Sequence, residues 1–209
     1  MAYIPALKYH ILTPIYDWFI KLTVPEKEVK SKTIDLAEIN ADDKVLDFGC
    51  GTATLCQILL AKYVVTEVVG LDVDPAILEI AKKKSIPDLT LKEFDGEVIP
   101  FKDQYFDKVI SSWVFHHLTT EQKINAFKEI KRVLKPDGVF ILADWGQASN
   151  PIQRVLFFIL QVFDNFHTTS ANVNGEIVSY LKDAGFQKTE ECGYRNTLLG
   201  SLRYWKVSN

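Results

Sequence analysis

Short β-branched and apolar runs alternate with helical stretches along most of the chain, and this rhythm restricts the fold more than any other feature. The runs are KVLDF (44–48), EVVGLD (67–72), LTLKEF (89–94), DKVISS (107–112) and GVFILAD (138–144). Between them lie stretches such as PAILEIAKKK (75–84) and EQKINAFKEIKRVL (121–134), the latter with Ile124, Phe127, Ile130 and Leu134 at helical spacing. Strict strand and helix alternation implies parallel crossovers, and continuous apolar strands such as VFILA imply a sheet covered on both faces. After residue 165 the rhythm changes. A helix is predicted over about 174–184, stopped by Gly185, and the runs QKTEECGYR and LGSLRYWKV then follow with no helix between them. Strands joined so closely pair antiparallel. The expected fold is therefore α/β, a doubly wound and mostly parallel seven-stranded sheet ending in an antiparallel C-terminal hairpin.

The chain has 209 residues, 47% of them hydrophobic, which suits one domain with a sizeable core. A formal net charge of −3, with no dense cluster of lysine and arginine, disfavours nucleic acid as a partner. Cys50, Cys56 and Cys192 show no metal-ligand spacing and no cleavable signal precedes them, so no metal and a cytoplasmic location are expected. Two apolar stretches, ILTPIYDWFIKL (11–22) and PIQRVLFFILQVFDNF (151–166), are broken by Pro14, Asp17, Arg154, Gln161 and Asp164. Neither reaches the roughly 20 apolar residues of a membrane span. They are expected as buried helices, as a lid over a substrate pocket or a surface that touches lipid, or as the hidden faces of a homodimer.

The chemistry gathers at VLDFGCGTATL (45–55). Gly49 and Gly51 lack Cβ atoms, which permits positive φ and lets a ligand lie against the backbone where the first strand turns into its helix. A nicotinamide fingerprint would place a third glycine where Thr54 stands, and the carboxylate of Asp47 would repel a pyrophosphate. That carboxylate instead suits a ligand with an ammonium group. Asp72, at the end of the next strand, is placed to accept both hydroxyls of a ribose, while Asp74 and Pro75 read as the cap and first turn of a helix. Ammonium and ribose together describe S-adenosylmethionine.

Here the residues match a known pattern. VLDFGCGTATL, GLDVDPAIL, EFDGEVIPF, FDKVISSWVFHHL and RVLKPDGVFILAD occur in the order and at the intervals of the motifs of class I S-adenosylmethionine-dependent methyltransferases, and the chain resembles that family from about residue 40 to 145. IPFKDQYFDKVISS followed by RVLKPDG is most similar to the branch with the ubiquinone/menaquinone-biosynthesis and many small-molecule methyltransferases. The resemblance implies a Rossmann-like fold and one domain over 1–209, with an N-terminal helical lid (1–40), a cofactor-binding core (40–145), a substrate-side insertion (146–174) and a C-terminal helix and strand pair (175–209). It implies that Asp47, Gly49 and Gly51 line the methionine end with Thr52 opening the helix beside them, that Asp72 binds the ribose with Val73 against the adenine face, that Asp95 and Gly96 read the adenine amino edge, and that Ser112 lies near the methionine. Ala53 departs from the pattern, where the family usually has glycine.

Methyl transfer asks mainly for alignment of a nucleophile with an already activated methyl group and for exclusion of water. His116 and His117, just past the fourth strand, are the candidates for a general base should the acceptor lose a proton. Tyr16, with Tyr9, His10 and Asp17, is expected to close over the methionine end. The expected activity is methyl transfer to a small, partly apolar acceptor, enclosed between the segment around Tyr16 to Ile20 and the helix around Phe157 to Phe163, with S-adenosylhomocysteine as product. A protein that holds S-adenosylmethionine without turnover is the alternative.

Overall fold

The computed structural model describes residues 25–164, 166–197 and 200–209. Tyr9, His10, Tyr16 and Asp17 lie outside them, so most of the expected N-terminal lid does too. The elements run α1 (Glu26–Leu36), β1 (Lys44–Phe48), α2 (Thr54–Lys62), β2 (Glu67–Asp72), α3 (Pro75–Lys82), β3 (Leu89–Glu93), β4 (Phe106–Ser112), a 3-10 turn (Phe115–His117), α4 (Thr120–Val133), β5 (Leu134–Gly146), α5 (Pro151–Asp164), α6 (Phe166–Asn174), α7 (Ile177–Asp183), β6 (Lys188–Asn196) and β7 (Ser201–Ser208).

The seven strands form one sheet in the order β3-β2-β1-β4-β5-β7-β6. β1 to β5 pair in parallel, while β7 lies antiparallel between β5 and β6, as the helix-free C-terminal sequence requires. The apolar runs are continuous because successive residues feed opposite layers. Val45, Val68 and Ile141 pack with Ile34, Leu55, Leu59 and Leu78 beneath α1, α2 and α3. Leu46, Val69, Phe140 and Leu142 pack with Phe127, Ile130 and Leu181 beneath α4 and α7. Burying one side chain such as Phe127 contributes about 1.5–3 kcal/mol, and Phe127 also stacks on Phe115 with ring centroids 4.3 Å apart. This stack draws the segment after β4 down onto the core.

Local signals in the sequence set the helix boundaries. Asp74 caps α3 by accepting from the Ala76 (2.8 Å) and Ile77 (3.4 Å) N–H groups, with Pro75 in the first turn. Thr119 and Gln122 cap α4 reciprocally, each side chain bonding the other's backbone N–H. Gly185, at φ +95°, ends the turn after α7. α6 is not marked by apolar periodicity. Its residues FHTTSANVN are poor helix formers, and burial of Thr168, Thr169, Ala171, Asn172 and Val173 holds the helix in place. The order in which strands are added reverses between β1 and β4, which are themselves parallel: β2 and β3 extend the sheet one way and β4 onward the other. Ligands bind beyond the strand ends at such a switch point.

Candidate functional site

At that point the chain leaves β1 and is tied to β2 at once. The N–H groups of Gly49 and Cys50 both donate to the carbonyl of Leu71, at 2.8 and 2.9 Å. Gly49 has φ +75°, and a Cβ there would stand 2.3 Å from a methyl of Val114, so this glycine lets the segment after β4 close onto the turn. Gly51 differs. Its φ is +54°, and a Cβ would meet nothing within 4 Å, because it would project into open space. That space is a cleft of about 460 Å³ whose walls include Phe48, Gly49, Gly51, Asp72, Val73 and Asp95. The volume lies within the range of small-molecule sites, roughly 300–1,000 Å³.

Asp72 joins the walls through its carboxylate. One oxygen accepts from the Gly51 N–H (2.8 Å) and the other from the Asp74 N–H (3.0 Å). Two bonds use about half of a carboxylate's four acceptor positions, and the remainder can meet paired hydroxyls. Asp95 accepts the Glu97 (2.8 Å) and Val98 (3.0 Å) N–H groups on one oxygen, which holds its carboxyl below the usual range, and Gly96 follows at φ +83°. Sequence reasoning passed over Glu93 and Glu97, which bring the wall carboxylates to four with Asp72 and Asp95. Among the described wall residues there is no lysine or arginine. Such a cleft repels phosphates and accepts cationic or neutral ligands.

Asp47, Thr52, Ser112 and His116 are not among the wall residues. Asp47 lies under the turn, 2% exposed, and accepts from the Cys56 thiol at 3.1 Å. Burial pushes its carboxyl up to about 6, against the pull of the Cys56 bond and the charge of Lys30 on α1. The Thr52 hydroxyl lies 3.2 Å from that of Thr54 and 3.4 Å from the ammonium of Lys84, outside the cleft. The Ser112 hydroxyl is buried without a hydrogen-bond partner. Ala53, at φ +59°, is the cap position of α2 and packs in the core beneath it, so its methyl group faces hydrophobic neighbours and not the cleft.

The adjacent histidines part ways. His116 is buried and its Nδ1 lies 2.7 Å from Asp144 Oδ1, while the other oxygen of Asp144 accepts the Phe115 (2.7 Å) and His116 (3.2 Å) N–H groups. Burial pushes the Asp144 carboxyl upward, but the charge and hydrogen bond of His116 outweigh it and hold it below its usual range. His117 reaches the cleft wall, its ring centroid 3.8 Å from that of His116. Burial, with the charge of His116, pushes it down to about 3. A neutral His117 can exchange hydrogen bonds with a ligand but holds a proton too weakly to be an effective base at neutral pH. Beside them the buried Lys123 donates to the carbonyls of Leu118 and Thr168, and burial lowers it to about 8. In the expected substrate-side insertion, Phe157 packs edge-on to Trp145 in the core, whereas Phe158 is 53% exposed beside Phe166. Among the described residues no helix is long and apolar enough to cross a membrane, and no group of His, Cys, Asp and Glu could hold a metal ion.

Residues 46–142 match the family model described as "Methyltransferase domain". The demethylmenaquinone methyltransferase of Lactobacillus johnsonii is 30% identical over 189 residues, covering 83% of this chain and 76% of that protein. The chain belongs to the class I S-adenosylmethionine-dependent methyltransferases. An uncharacterised methyltransferase of Oceanobacillus iheyensis is 39% identical over 105 residues, 50% of this chain and 48% of the relative, so the chain spans about half the length of some relatives it matches. The crystal structure of the YcgJ protein of Bacillus subtilis shares the fold, with a TM-score of 0.72 at 18% identity over 88% of this chain and 99% of that one.

Proposed function

We propose that this protein transfers the methyl group of S-adenosylmethionine to a small, partly apolar acceptor. The observation that carries the reading is the link between Gly51 and Asp72. The glycine opens the backbone to the cleft, and its N–H fixes the carboxylate that would take the ribose hydroxyls. The wall residues support such a donor at its nucleoside end. In this reading Val73 and Ile77 would offer apolar surface to the adenine and Asp95 with Gly96 would close over its edge, while Asp47, buried beneath the turn and outside the wall, would act on the ammonium group through its charge rather than by direct contact. When bound, the donor supplies a methyl group already activated by its sulfonium. The chain's own residues bind, orient and shield: Phe48, Trp113, Val114 and Leu118 form the apolar part of the wall that excludes water. The rate advantage expected from such alignment needs no protein base.

A small acceptor, and not a nucleic acid, is favoured by the absence of lysine and arginine from the described walls of the cleft. A cytoplasmic location is part of the same proposal, supported by three free cysteines, two of them buried. One relative is named for demethylmenaquinone, which makes a hydroquinone the first acceptor to try. The test is calorimetric titration with S-adenosylhomocysteine and with NAD, followed by transfer of a labelled methyl group to hydroquinones, phenols and amines. Binding of S-adenosylhomocysteine and not NAD, with label appearing in a small acceptor, is the expected result. Binding of NAD alone would overturn the cofactor assignment, and bound donor that no acceptor consumes would leave a binding protein.

A further inference from the structure

α5 turns polar side chains inward and apolar ones outward. Gln153, Phe157 and Gln161, each four residues from the next, form its buried stripe. The two amides are spent on that side. Gln153 accepts the hydroxyls of Ser149 (2.6 Å) and Ser201 (2.7 Å) and donates to the carbonyl of Thr197, while Gln161 donates to the hydroxyl of Thr169 (3.1 Å) and accepts from Arg154 (3.0 Å). On the other side Ile152, Val155 and Phe158 stand 73%, 66% and 53% exposed, and Phe166 of α6 extends the patch, its ring centroid 5.2 Å from that of Phe158. A surface helix normally turns its apolar stripe to the core, and clustered exposed apolar side chains mark an interaction surface. The cleft does not account for this face, since no residue of α5 is among its described walls.

The chain itself supplies a cover. Residues 1–24, which lie outside the described residues, lead into α1, and Val29 of α1 shares a buried cluster with Phe157 of α5. The segment before α1 therefore arrives beside α5. Within it Ile15, Trp18, Phe19 and Leu22 follow the spacing i, i+3, i+4, i+7 of one apolar helix face. Such a face would run about 10 Å along a helix axis, against about 9 Å from Ile152 to Phe158, and Leu22 is separated from Pro25 by about 10 Å of extended chain. The charges agree: Asp17 is the one acid in residues 1–24, and Arg154 is the one base of α5. We propose that residues 15–22 dock along the outer face of α5, with Ile15, Trp18, Phe19 and Leu22 against Ile152, Val155 and Phe158. So short a tether gives the segment a millimolar effective concentration, which a second copy of the chain would have to match in free solution. A lipid surface is poorly attracted, because the chain has a net charge of −3 and α5 a single basic residue.

Hydrogen–deuterium exchange on the whole chain tests the proposal, with a synthetic peptide of residues 11–24 as the unprotected reference. Backbone amides of residues 15–22 should exchange about tenfold slower or more in the protein than in the peptide. Phe158→Asp and Val155→Asp place a charge at exposed positions, so circular dichroism should still report the fold, yet each should bring the exchange to within about twofold of the peptide. Sedimentation velocity should give the same molecular mass for wild type and variants. Exchange at the peptide's rate in the wild-type protein would overturn the proposal, as would protection that both variants keep. Protection found only in a dimer that Phe158→Asp dissociates would assign the face to a second copy, and pelleting with phosphatidylglycerol vesicles that the same substitution abolishes would assign it to lipid. Either result rules out the docked segment, and none of these measurements depends on the cofactor.

Discussion

Asp72 and Asp144 stand near the carboxyl ends of two strands in one sheet, and both carboxylates hold backbone N–H groups in the segments that follow strands. Asp72 accepts two such bonds, from Gly51 and Asp74, and keeps about half its capacity facing a cleft. Asp144 accepts four, from the N–H groups of Phe115, His116 and Trp145 and from the His116 ring, and is 0% exposed. The same device serves binding where capacity is left over and serves rigidity where it is used up. Asp144 fixes the turn that carries Trp113 and His117 to the wall, so it shapes the site without touching a ligand.

The largest effect expected from this contrast is on stability. Asp144→Ala should cost about 3–5 kcal/mol in urea unfolding, because it strips a buried group of partners on every side. A loss below 1 kcal/mol would mean that the four bonds are not carrying the turn. Next comes Gly51→Val, where the side chain would fill the cleft and resist φ +54°. Affinity for S-adenosylhomocysteine should fall below detection while circular dichroism still reports the fold. Tight binding by this variant would show that the donor lies elsewhere. Asp72→Ala should weaken S-adenosylhomocysteine by about 1–3 kcal/mol, the range for hydrogen bonds to a charged group. Its effect on stability should be well under that of Asp144→Ala. Reversal of that order would break the distinction between the two carboxylates.

Asp72 was legible in the sequence and Asp144's role was not, for a physical reason. Strand ends, glycine turns and caps are local signals: EVVGLD runs to the end of β2, Asp74 caps the next helix, and Gly185 stops the turn after α7, all within a few residues of their cause. Asp144 ends the visible run VFILAD, but its partners Phe115 and His116 are 29 and 28 residues away, and only the fold brings them together. Likewise no pattern marks the left-handed backbone of Trp113 or the pairing of Leu134 with Phe106, which extends β5 beyond the expected GVFILAD. The placement of Asp47 was half legible. Its position before the turn follows from the sequence, but its burial behind the Cys56 thiol follows from packing.

That burial sharpens the comparison through pH. The Asp47 carboxyl is raised from 3.8 to about 6, so its contribution to stability is fully present below pH 3.8 and is lost as pH rises through about 6. His117 is lowered from 6.5 to about 3, so its contribution is fully present above pH 6.5 and is lost as pH falls towards 3. The two oppose each other between pH 5 and 7, and unfolding should vary little there on their account. Binding should not be so flat. If ionised Asp47 answers the ammonium group, only about a tenth of the protein is competent at pH 5, and affinity for S-adenosylhomocysteine should be about tenfold lower there than at pH 7. Asp47→Asn should remove that step; a step that survives in this variant belongs to another group.

The smallest effect is expected two residues from the largest loss of binding. Gly51 and Ala53 both have positive φ, +54° and +59°, but Gly51 faces the cleft and Ala53 faces the core beneath α2. Ala53→Gly would relieve about 1–2 kcal/mol of left-handed strain. It would also lose about 0.8 kcal/mol of buried methyl group and add about 0.5–1 kcal/mol of backbone entropy cost. These terms nearly cancel, so unfolding free energy should change by less than about 1 kcal/mol, and affinity for S-adenosylhomocysteine should not change, since no part of the methyl group reaches the wall. A clear gain in affinity would show that alanine holds the turn away from the ligand. In that case the backbone at Gly51 would be set by strain at Ala53, and not by the bond from Gly51 to Asp72.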